Sequence, residues 1–543
     1  MRMKIIIYIA AIFSLVLSCQ NNRHLVTLVE PRIGSWGDQG DGTFVNPILN
    51  SNYPDSDVEK YGDNWYMISS KGRFMKGMTL LKSSDLVNWE ICGGLVDSLT
   101  WDTKEGVWAG DLSFRADSVL CHFIDIDKGL FVSCAENVNS EWDEPLLMME
   151  KKGMTDPAVY WDEDSHQAYM LCNHRITETP EGNLYHLRLF RMSWDGKSVL
   201  DDGVDIYSGI GSEAAKIYRI RGMYYVFISE WTMDGNGHKV DRRQAVLRSE
   251  SLYGPFEKRI LLERGNGITR SCCQGSFLQA PDSSWWYMHQ MVQARNTFEG
   301  RPQCLIPAGW TEDGWPYVGV DSDGNGIGNI VWKSRKPIQC GKITVPDTDD
   351  DFNFPELGSQ WLWNGNPISG KWSLTRRKGW LRLCSTTPGI KANPFIDQSN
   401  ILLQRKMGRG RDTVTVKMSI SGMSAGQYAG LVFTGENYQA LGVHAGENGR
   451  VILSRNTAES AEAPFNSKNV LLRICADERI LSCSYSTDGK RYVTIGEPFE
   501  MFTSGFNGIF IGLFSRHPEG LGYADFDWFS YEYDGPKAKA LSK

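Results

Sequence analysis

A pattern of five similar stretches constrains the fold of this chain most strongly. In each stretch a polar or acidic residue precedes a short alternating run, a turn follows, and a second run is rich in Trp and Tyr. Repeats of this length with several strands per unit are typical of a β-propeller, in which each unit forms one blade. We therefore predict an all-β fold that contains a five-bladed β-propeller. The leading residues, at intervals of 56, 45, 57 and 61 positions, are Asp55, Asp111, Asp156, Glu213 and Gln274.

The leading residues also predict a functional site. Because the blades of a propeller surround one axis, these residues are expected to converge near it. Four of the five are carboxylates, and the outermost two of those four are more than 150 positions apart in sequence. Convergence of such distant carboxylates on one pocket would favour acid–base chemistry.

A second β region follows the repeats. At 543 residues the chain is too long for one ordinary hydrophobic core. Beyond a polar linker, runs such as TVTVKMSISG and YAGLVFTG alternate with period two between Gly-bearing turns, which predicts a β-sandwich. The predicted organisation is a signal peptide at 1–18, a tether at 19–42, the propeller at 43–337, the sandwich at 347–535 and a tail at 536–543.

The N-terminus has the features of a bacterial lipoprotein signal. Arg2 and Lys4 precede the apolar stretch IIIYIAAIFSLVL, which is short for a transmembrane span, and Ser18-Cys19 resembles a lipoprotein cleavage box. Lipid attachment to Cys19 would anchor the protein to a membrane of the bacterial cell envelope, on the periplasmic or the outer surface. The alternative is an ordinary secretory signal with a coincidental Cys.

Composition and motifs exclude several classes of function. A net charge of −8 argues against a nucleic-acid partner, because such surfaces need clustered Lys and Arg. No Cys/His cluster has zinc spacing, and no Gly-rich phosphate loop is present. The G-x-S-x-G match at 422–426 joins two strand-like runs, whereas a nucleophile elbow joins a strand to a helix. A neutral oligosaccharide substrate fits these observations, with glycoside hydrolysis by paired carboxyl groups as the chemistry.

Each carboxylate also has a structural interpretation. Asp55 follows Pro54 and Asp156 precedes Pro157, so each of them taken alone fits a turn better than a catalytic role. Glu213 opens an apolar strand, where Glu is a poor strand former. Their occurrence at equivalent points of three repeats favours catalysis, and Asp111 is interpreted as a structural or pocket-lining residue.

Six segments in order resemble glycoside hydrolase family 43. They are NPILNSNYPDSDV, DLVNWE, WAGDLSF, TDPAVYWDED, EAAKIYRIRGMYYVF and QGSFLQAPDSSWWYMH. The resemblance covers about residues 43–335 and implies a five-bladed propeller enzyme, in a family whose activities are mainly β-xylosidase, α-L-arabinofuranosidase and arabinanase. The 350–535 region is similar to the concanavalin-like C-terminal domain of β-xylosidase-type members.

The resemblance implies roles for three carboxylates. Asp55 corresponds to the general base that activates water, Asp156 to the residue that orients the acid and tunes its pKa, and Glu213 to the general acid. It also implies inversion of the anomeric configuration. On physical grounds, neighbouring carboxylates do not both ionise cheaply, so Asp156 can keep Glu213 protonated near neutral pH.

Substrate contacts are predicted at five further positions. Arg301 resembles the family's Arg that reaches the sugar hydroxyls, and a surface salt bridge is its alternative role. Phe74, Trp108 and Trp231 can stack on a sugar ring, although aromatic residues are more often core residues. Gln274 can donate hydrogen bonds to the ligand or to a central water.

The fifth repeat departs from the family pattern. Cys273 stands where relatives commonly carry a His, which in many members helps to hold a metal ion or tune the site. We therefore predict no cofactor and do not expect bound calcium. In the fourth repeat, Ala214-Ala215 replaces the usual Gly-Pro or Gly-Ala.

The leading hypothesis is an exo-acting, inverting glycosidase that releases terminal xylose or arabinofuranose from plant-derived oligosaccharides. The closed pocket expected of such an enzyme can be completed by a loop from the second domain. Two alternatives remain: a carbohydrate-binding propeller without catalysis, suggested by Cys273, and an endo-acting arabinanase.

Overall fold

The computed structural model describes residues 37–535 except 73, 97, 102, 104, 264–268, 294–297, 340–342, 387–398, 436, 447–448, 456–457 and 502–504. The predicted signal peptide, the lipidation site Cys19 and the predicted tail at 536–543 lie outside the described residues. Within the described part of the chain, no helix is long and apolar enough to cross a membrane.

The first half of the described chain consists of short antiparallel strands. They are β1 (Gly37–Asp38), β2 (Thr43–Val45), β3 (Asp57–Tyr61), β4 (Asn64–Ser70), β5 (Phe74–Met75), β6 (Met78–Ser83), β7 (Glu90–Gly94), β8 (Gly110–Arg115), β9 (Ser118–Asp125), β10 (Gly129–Ala135), β11 (Leu146–Glu150), β12 (Thr155–Asp162), β13 (Gln167–Thr177), β14 (Leu184–Met192), β15 (Val204–Ile210), β16 (Glu213–Ile220), β17 (Met223–Met233), β18 (Lys239–Ser249), β19 (Glu257–Leu262), β20 (Thr269–Gln279), β21 (Trp285–Gln293), β22 (Gln303–Trp310), β23 (Pro316–Val318) and β24 (Lys333–Arg335).

Five four-stranded sheets of the described residues form the five blades of a propeller. Their strand orders are β3-β4-β6-β7, β8-β9-β10-β11, β12-β13-β14-β15, β16-β17-β18-β19 and β20-β21-β22-β23. The first strand of each blade lies next to the first strands of the neighbouring blades and therefore lines the axis. The predicted hairpin of the fourth blade turns at Arg221 and Gly222, both with positive φ, as a two-residue hairpin turn requires.

The ring is closed by residues from its two ends. Strands β1, β2 and β24 form a small sheet in which Thr43 pairs with Arg335. The buried Asn46 amide donates to the carbonyls of Leu305 and Val331, both at 2.7 Å. Because these contacts join the start of the propeller to its last blade, they hold the circle of blades closed.

The second domain is a β-sandwich. Its strands are β25 (Leu362–Asn364), β26 (Trp372–Ser373), β27 (Leu381–Cys384), β28 (Asn400–Arg405), β29 (Arg411–Ser419), β30 (Tyr428–Thr434), β31 (Tyr438–His444), β32 (Arg450–Arg455), β33 (Ala458–Pro464), β34 (Asn469–Asp477), β35 (Ile480–Ser486), β36 (Val493–Thr494), β37 (Phe499–Glu500), β38 (Phe510–Arg516) and β39 (Tyr523–Tyr533), with a 3₁₀ turn at Gly505–Asn507.

Two sheets of the sandwich pack face to face. One has the order β33-β32-β31-β30-β38-β28-β25-β5 and the other β26-β27-β39-β29-β34-β35-β36. Alternate residues of their strands, such as Val414, Val416, Leu431 and Leu513, are almost completely buried between them. This alternation is what the period-two pattern of the sequence predicts.

The two domains share a sheet. Strand β5, which lies in the chain between two strands of the first blade, pairs with β25 of the sandwich, with Met75 opposite Trp363. The first blade thus contributes the edge strand of a sandwich sheet. This arrangement places the sandwich beside the mouth of the propeller, where the candidate site lies.

Candidate active site

A pocket of about 550 Å³ lies at the propeller axis and contains every site residue predicted within the described chain. The predicted residues that line it are Asp55, Phe74, Trp108, Asp156, Glu213, Trp231, Gln274 and Arg301. Carboxylates separated by more than 150 positions in sequence therefore reach one cavity. Their assigned roles in catalysis and binding remain proposals.

Asp55 is held by donors on both carboxyl oxygens. Arg301 donates to Oδ1 at 2.6 Å and Ser70 donates to Oδ2 at 2.5 Å. The main-chain N–H of Asp55 donates to the Gln290 side chain at 2.9 Å, and the amide of Gln290 donates to Gln274 at 2.7 Å. Gln274 therefore holds the backbone of Asp55 in place through Gln290. Arg301 was predicted to contact the sugar, and in the structure it also positions the carboxyl of Asp55.

Glu213 and Asp156 have raised pKa values in the pocket. Burial, together with the carboxyls of Glu213 and Asp55, raises the pKa of Asp156 to about 7. Burial also raises the pKa of Glu213, against the opposing effect of the Arg242 guanidinium with which it forms an ion pair. Asp156 and Glu213 therefore keep their protons to higher pH than exposed carboxyls do, as the acid side of an acid–base site requires.

The backbone turns sharply at the residues that carry the site. Asp55, Asp156, Ala214 and Gln274 have φ between 54° and 57°, a left-handed conformation that non-glycine residues rarely adopt. In the third, fourth and fifth blades the strand register shifts at the same place, next to Asp156, Glu213 and Gln274. These bulges aim the side chains into the pocket rather than along the strand.

The aromatic side chains that line the pocket contact cations and other aromatic rings. The Trp231 ring lies 4.5 Å from the guanidinium carbon of Arg242 and 5.0 Å from the Lys239 amine. Phe74 packs against Phe510 of the sandwich with ring centres 4.7 Å apart. The aromatic residues therefore belong both to the pocket and to its supporting structure.

The sandwich completes the pocket. Gly435, Phe506, Asn507 and Phe510 line it from the second domain. Phe510 is buried, whereas the side chain of Phe506 is 49% exposed. The expectation that a loop of the second domain contributes to the pocket agrees with this geometry.

Sequence reasoning missed Arg242. It lies on β18 opposite Trp231 of β17 and reaches across β17 to Glu213 on β16. The segment DRRQAV carries two adjacent Arg residues within a strand-like run, a signal that charge is needed beside the sheet. Strand register decides which of these two Arg side chains points into the pocket, and the sequence did not specify that register.

Asp111 is a structural residue in this geometry. Its Oδ2 accepts the main-chain N–H of Val159 at 3.1 Å and its Oδ1 accepts the hydroxyl of Ser113 at 2.9 Å. It is absent from the described lining of the pocket. Both bonds lie one layer below the three pocket carboxyls.

The surroundings of Cys273 do not fit a calcium ion. Burial raises the pKa of its thiol to about 11, and the Arg242 cation lies near it. A protonated thiol beside a guanidinium is the opposite of the oxygen donors that calcium requires. Among the described residues, no three His, Cys, Asp or Glu side chains form a group that could hold a metal ion.

Comparisons with known proteins identify the family. The sequence model of Glycosyl hydrolases family 43 matches residues 44–316, and that of the Beta xylosidase C-terminal Concanavalin A-like domain matches residues 349–532. A Beta-xylosidase of Formosa agariphila is 42% identical, with 94% of each chain covered. A Putative beta-xylosidase of Xylanibacter ruminicola is 34% identical, with 89% of this chain and 88% of that protein covered.

Solved structures show the same fold. A crystal structure of a GH43 protein of Bacillus licheniformis, 22% identical, has a TM-score of 0.78 and covers 90% of this chain and 100% of its own. The predicted all-β fold, a propeller followed by a concanavalin-like sandwich, is confirmed, and so is the predicted glycosidase class. The chain belongs to glycoside hydrolase family 43 and carries the C-terminal domain of its β-xylosidase-type members.

Proposed function

We propose that this protein is an exo-acting, inverting β-xylosidase that removes terminal xylose from plant-derived oligosaccharides. The observation that carries the proposal is the convergence of Asp55, Asp156 and Glu213 on a pocket that the sandwich completes. Proteins named β-xylosidase cover nearly the whole chain at 42% and 34% identity, which supports xylose as the sugar. Release of terminal arabinofuranose is the second candidate, because the resemblance includes such enzymes.

The proposed reaction divides the work between two carboxyls. Glu213, whose pKa burial raises, donates its proton to the glycosidic oxygen. Asp55, fixed by Arg301 and Ser70, accepts a proton from the water that attacks the anomeric carbon from the opposite face. Asp156 is assigned the role of orienting the acid, and burial together with the carboxyls of Glu213 and Asp55 raises its own pKa to about 7.

Substitution of Glu213 tests the proposed acid. Glu213→Gln should lower kcat on xylobiose about 10²–10⁴-fold and should affect 4-nitrophenyl β-D-xyloside much less, because nitrophenolate leaves without a proton. Asp55→Asn should lower both rates, since either substrate needs an activated water. Glu163→Gln, a change to an exposed carboxyl paired with Arg115, is the control and should leave both rates unchanged.

The stereochemistry and the sugar are tested together. NMR of the first-formed product should show α-xylose released from a β-xyloside. A panel of β-D-xylosides, α-L-arabinofuranosides and linear arabinan distinguishes the rivals. Internal cleavage of arabinan would support the endo-acting alternative, and binding without turnover of any substrate would support the non-catalytic propeller.

We further propose that the mature protein is a lipoprotein held in the bacterial cell envelope through Cys19. The support is the sequence alone: a basic start, an apolar stretch and Ser18 before Cys19. In a bacterial host, labelled palmitate should be incorporated into the full-length chain, and Cys19→Ala should abolish both incorporation and recovery in the membrane fraction. An unlabelled, secreted wild-type protein would instead support an ordinary signal peptide.

A further inference from the structure

A buried ion pair crosses the propeller axis one layer below the candidate site. The Lys216 amine lies 2.6 Å from Oδ1 of Asp57, and the two side chains are 10% and 4% exposed. Asp57 follows Asp55 by two residues, and Lys216 follows Glu213 by three. We call Asp57 and Lys216 the cross-axis pair.

The pair joins blades that are not neighbours in the ring. Asp57 lies on β3 of the first blade and Lys216 on β16 of the fourth, and these blades belong to separate sheets. The second oxygen of Asp57 accepts the main-chain N–H of Leu112, in the second blade, at 2.7 Å. One carboxylate therefore connects three blades around the axis.

Further side chains connect the other inner strands at the same depth. Asp111 of the second blade accepts the N–H of Val159, three residues after Asp156. Ser276 of the fifth blade accepts the N–H of Val58, beside Asp57, at 3.0 Å. Because the blades are separate sheets, side chains such as these set the distances between the strands that carry the three pocket carboxyls.

The carboxyls of Asp57 and Asp111 lie close together inside the propeller and need a positive charge beside them. Burial and the nearby Asp57 raise the pKa of Asp111 to about 7. Burial lowers the pKa of Lys216, but Asp57 and Asp111 together outweigh it and raise that pKa above its usual value. Lys216 is thus a protonated amine that neutralises carboxyls which would otherwise repel one another across the axis.

We propose that the cross-axis pair positions the catalytic groups by setting the separation between Asp55 and Glu213. An inverting glycosidase needs that separation to admit both the glycosidic bond and one water molecule. A displacement of about 1 Å at such a site can cost about 10²-fold in rate. The inference rests on the proposed roles of Asp55 and Glu213, and it adds Asp57 and Lys216 as positioning residues that do not touch the substrate.

The test uses the full-length protein with Lys216→Met and Asp57→Asn. The second change keeps an oxygen to accept the Leu112 N–H, so it is expected to fold even if the first does not. Lys336→Met is the matched control, because Lys336 is 2% exposed and also pairs with two buried carboxylates, Asp38 and Asp85. That control cluster lies where the ring is closed, away from the pocket.

Three measurements are made on each folded variant: the thermal unfolding midpoint, kcat and KM on xylobiose, and the same constants on 4-nitrophenyl β-D-xyloside. We expect Lys216→Met and Asp57→Asn to lower kcat on xylobiose at least tenfold, with KM changed less than threefold. The loss on the nitrophenyl substrate should be smaller, because a displaced acid matters less there. Lys336→Met should lose stability but keep both kcat values.

Clear results would overturn the inference. If Asp57→Asn is folded and its kcat on xylobiose stays within twofold of that of Lys336→Met, the pair has only a structural role. A crystal structure of Asp57→Asn with an unchanged separation between Asp55 and Glu213 would overturn it equally. Absence of glycosidase activity in the wild-type protein would instead count against the proposed function, so the two failures are distinguishable.

Discussion

At the scale of single residues, the site consists of carboxyls whose surroundings differ. Asp55 accepts hydrogen bonds from Arg301 and Ser70, whereas Asp156 is half-buried beside two other carboxyls. Identical chemical groups thereby become suited to different tasks. The surroundings, rather than the residue types, separate the proposed base from the residue proposed to orient the acid.

Asp156 should make stability depend on pH. Its folded pKa of about 7 exceeds the unfolded value of about 3.9, so between these values the folded state binds more protons and stability falls as pH rises. Asp156→Asn removes this loss. The free energy of unfolding, measured with urea, is compared between the variant and wild type at each pH. We expect the difference, variant minus wild type, to be about 1–3 kcal/mol more favourable to the variant at pH 8 than at pH 4.5.

Asp117→Asn is the control for that measurement. Asp117 is exposed in the turn between β8 and β9. Its substitution should change stability equally at both pH values. An Asp156→Asn variant whose stability relative to wild type is the same at pH 4.5 and pH 8 would contradict the assignment of a proton to Asp156 near neutrality.

The sequence predicted the pocket residues that lead the repeats, but not all of their partners. Asp55, Asp156 and Glu213 could be found because each occupies the same place in its repeat. Arg242 and Ser70 lie on second or third strands, and whether they face the pocket depends on register and bulges. A shift of one residue reverses the face on which a side chain lies, and the pattern alone did not fix the shift.

At the scale of strands, bulges in the inner strands turn the side chains of the site into the pocket. Each bulge interrupts the ladder beside a pocket residue and is accompanied by a left-handed residue. The alternation of the sequence predicted the strands but not these bulges. None of the left-handed residues at the bulges is Gly or Asn, the usual signals of such conformations.

Adjacent alanines of β16 provide a matched test of this strain. Ala214 and Ala215 are both buried, but only Ala214 has positive φ, 56°. Ala215→Gly should destabilise the protein by about 1–2 kcal/mol through lost burial and greater unfolded-state entropy. Ala214→Gly should cost about 1–2 kcal/mol less, because glycine relieves the left-handed strain. Equal losses in urea unfolding would contradict the prediction.

At the scale of the whole molecule, the two domains make one site. A propeller strand, β5, extends a sandwich sheet, and sandwich residues line the propeller pocket. The buried Arg405 of the sandwich donates to the carbonyl of Asn52 at 2.5 Å, three residues before Asp55. The sequence predicted both folds, whereas these contacts arise from docking two surfaces, for which the repeat pattern carries no information.

Phe506 should contribute to binding rather than to folding. Its half-exposed ring lines the pocket, so Phe506→Ala should raise KM for xylobiose about threefold to tenfold with little change in the unfolding midpoint. Phe354→Ala removes a 69% exposed ring from the same domain, outside the described pocket lining, and is the control. An unchanged KM in Phe506→Ala would show that this side chain lines the pocket without contacting the substrate.

The positions of Phe506 and Phe510 in the chain also determine when the pocket is completed during synthesis. Both follow the propeller by more than 150 positions, close to the end of the chain. When the ribosome has synthesised all five blades, every proposed catalytic carboxyl is present. The sandwich residues that line the pocket have not yet been made. The finished binding site appears only after the last strands of the sandwich have been synthesised and have docked.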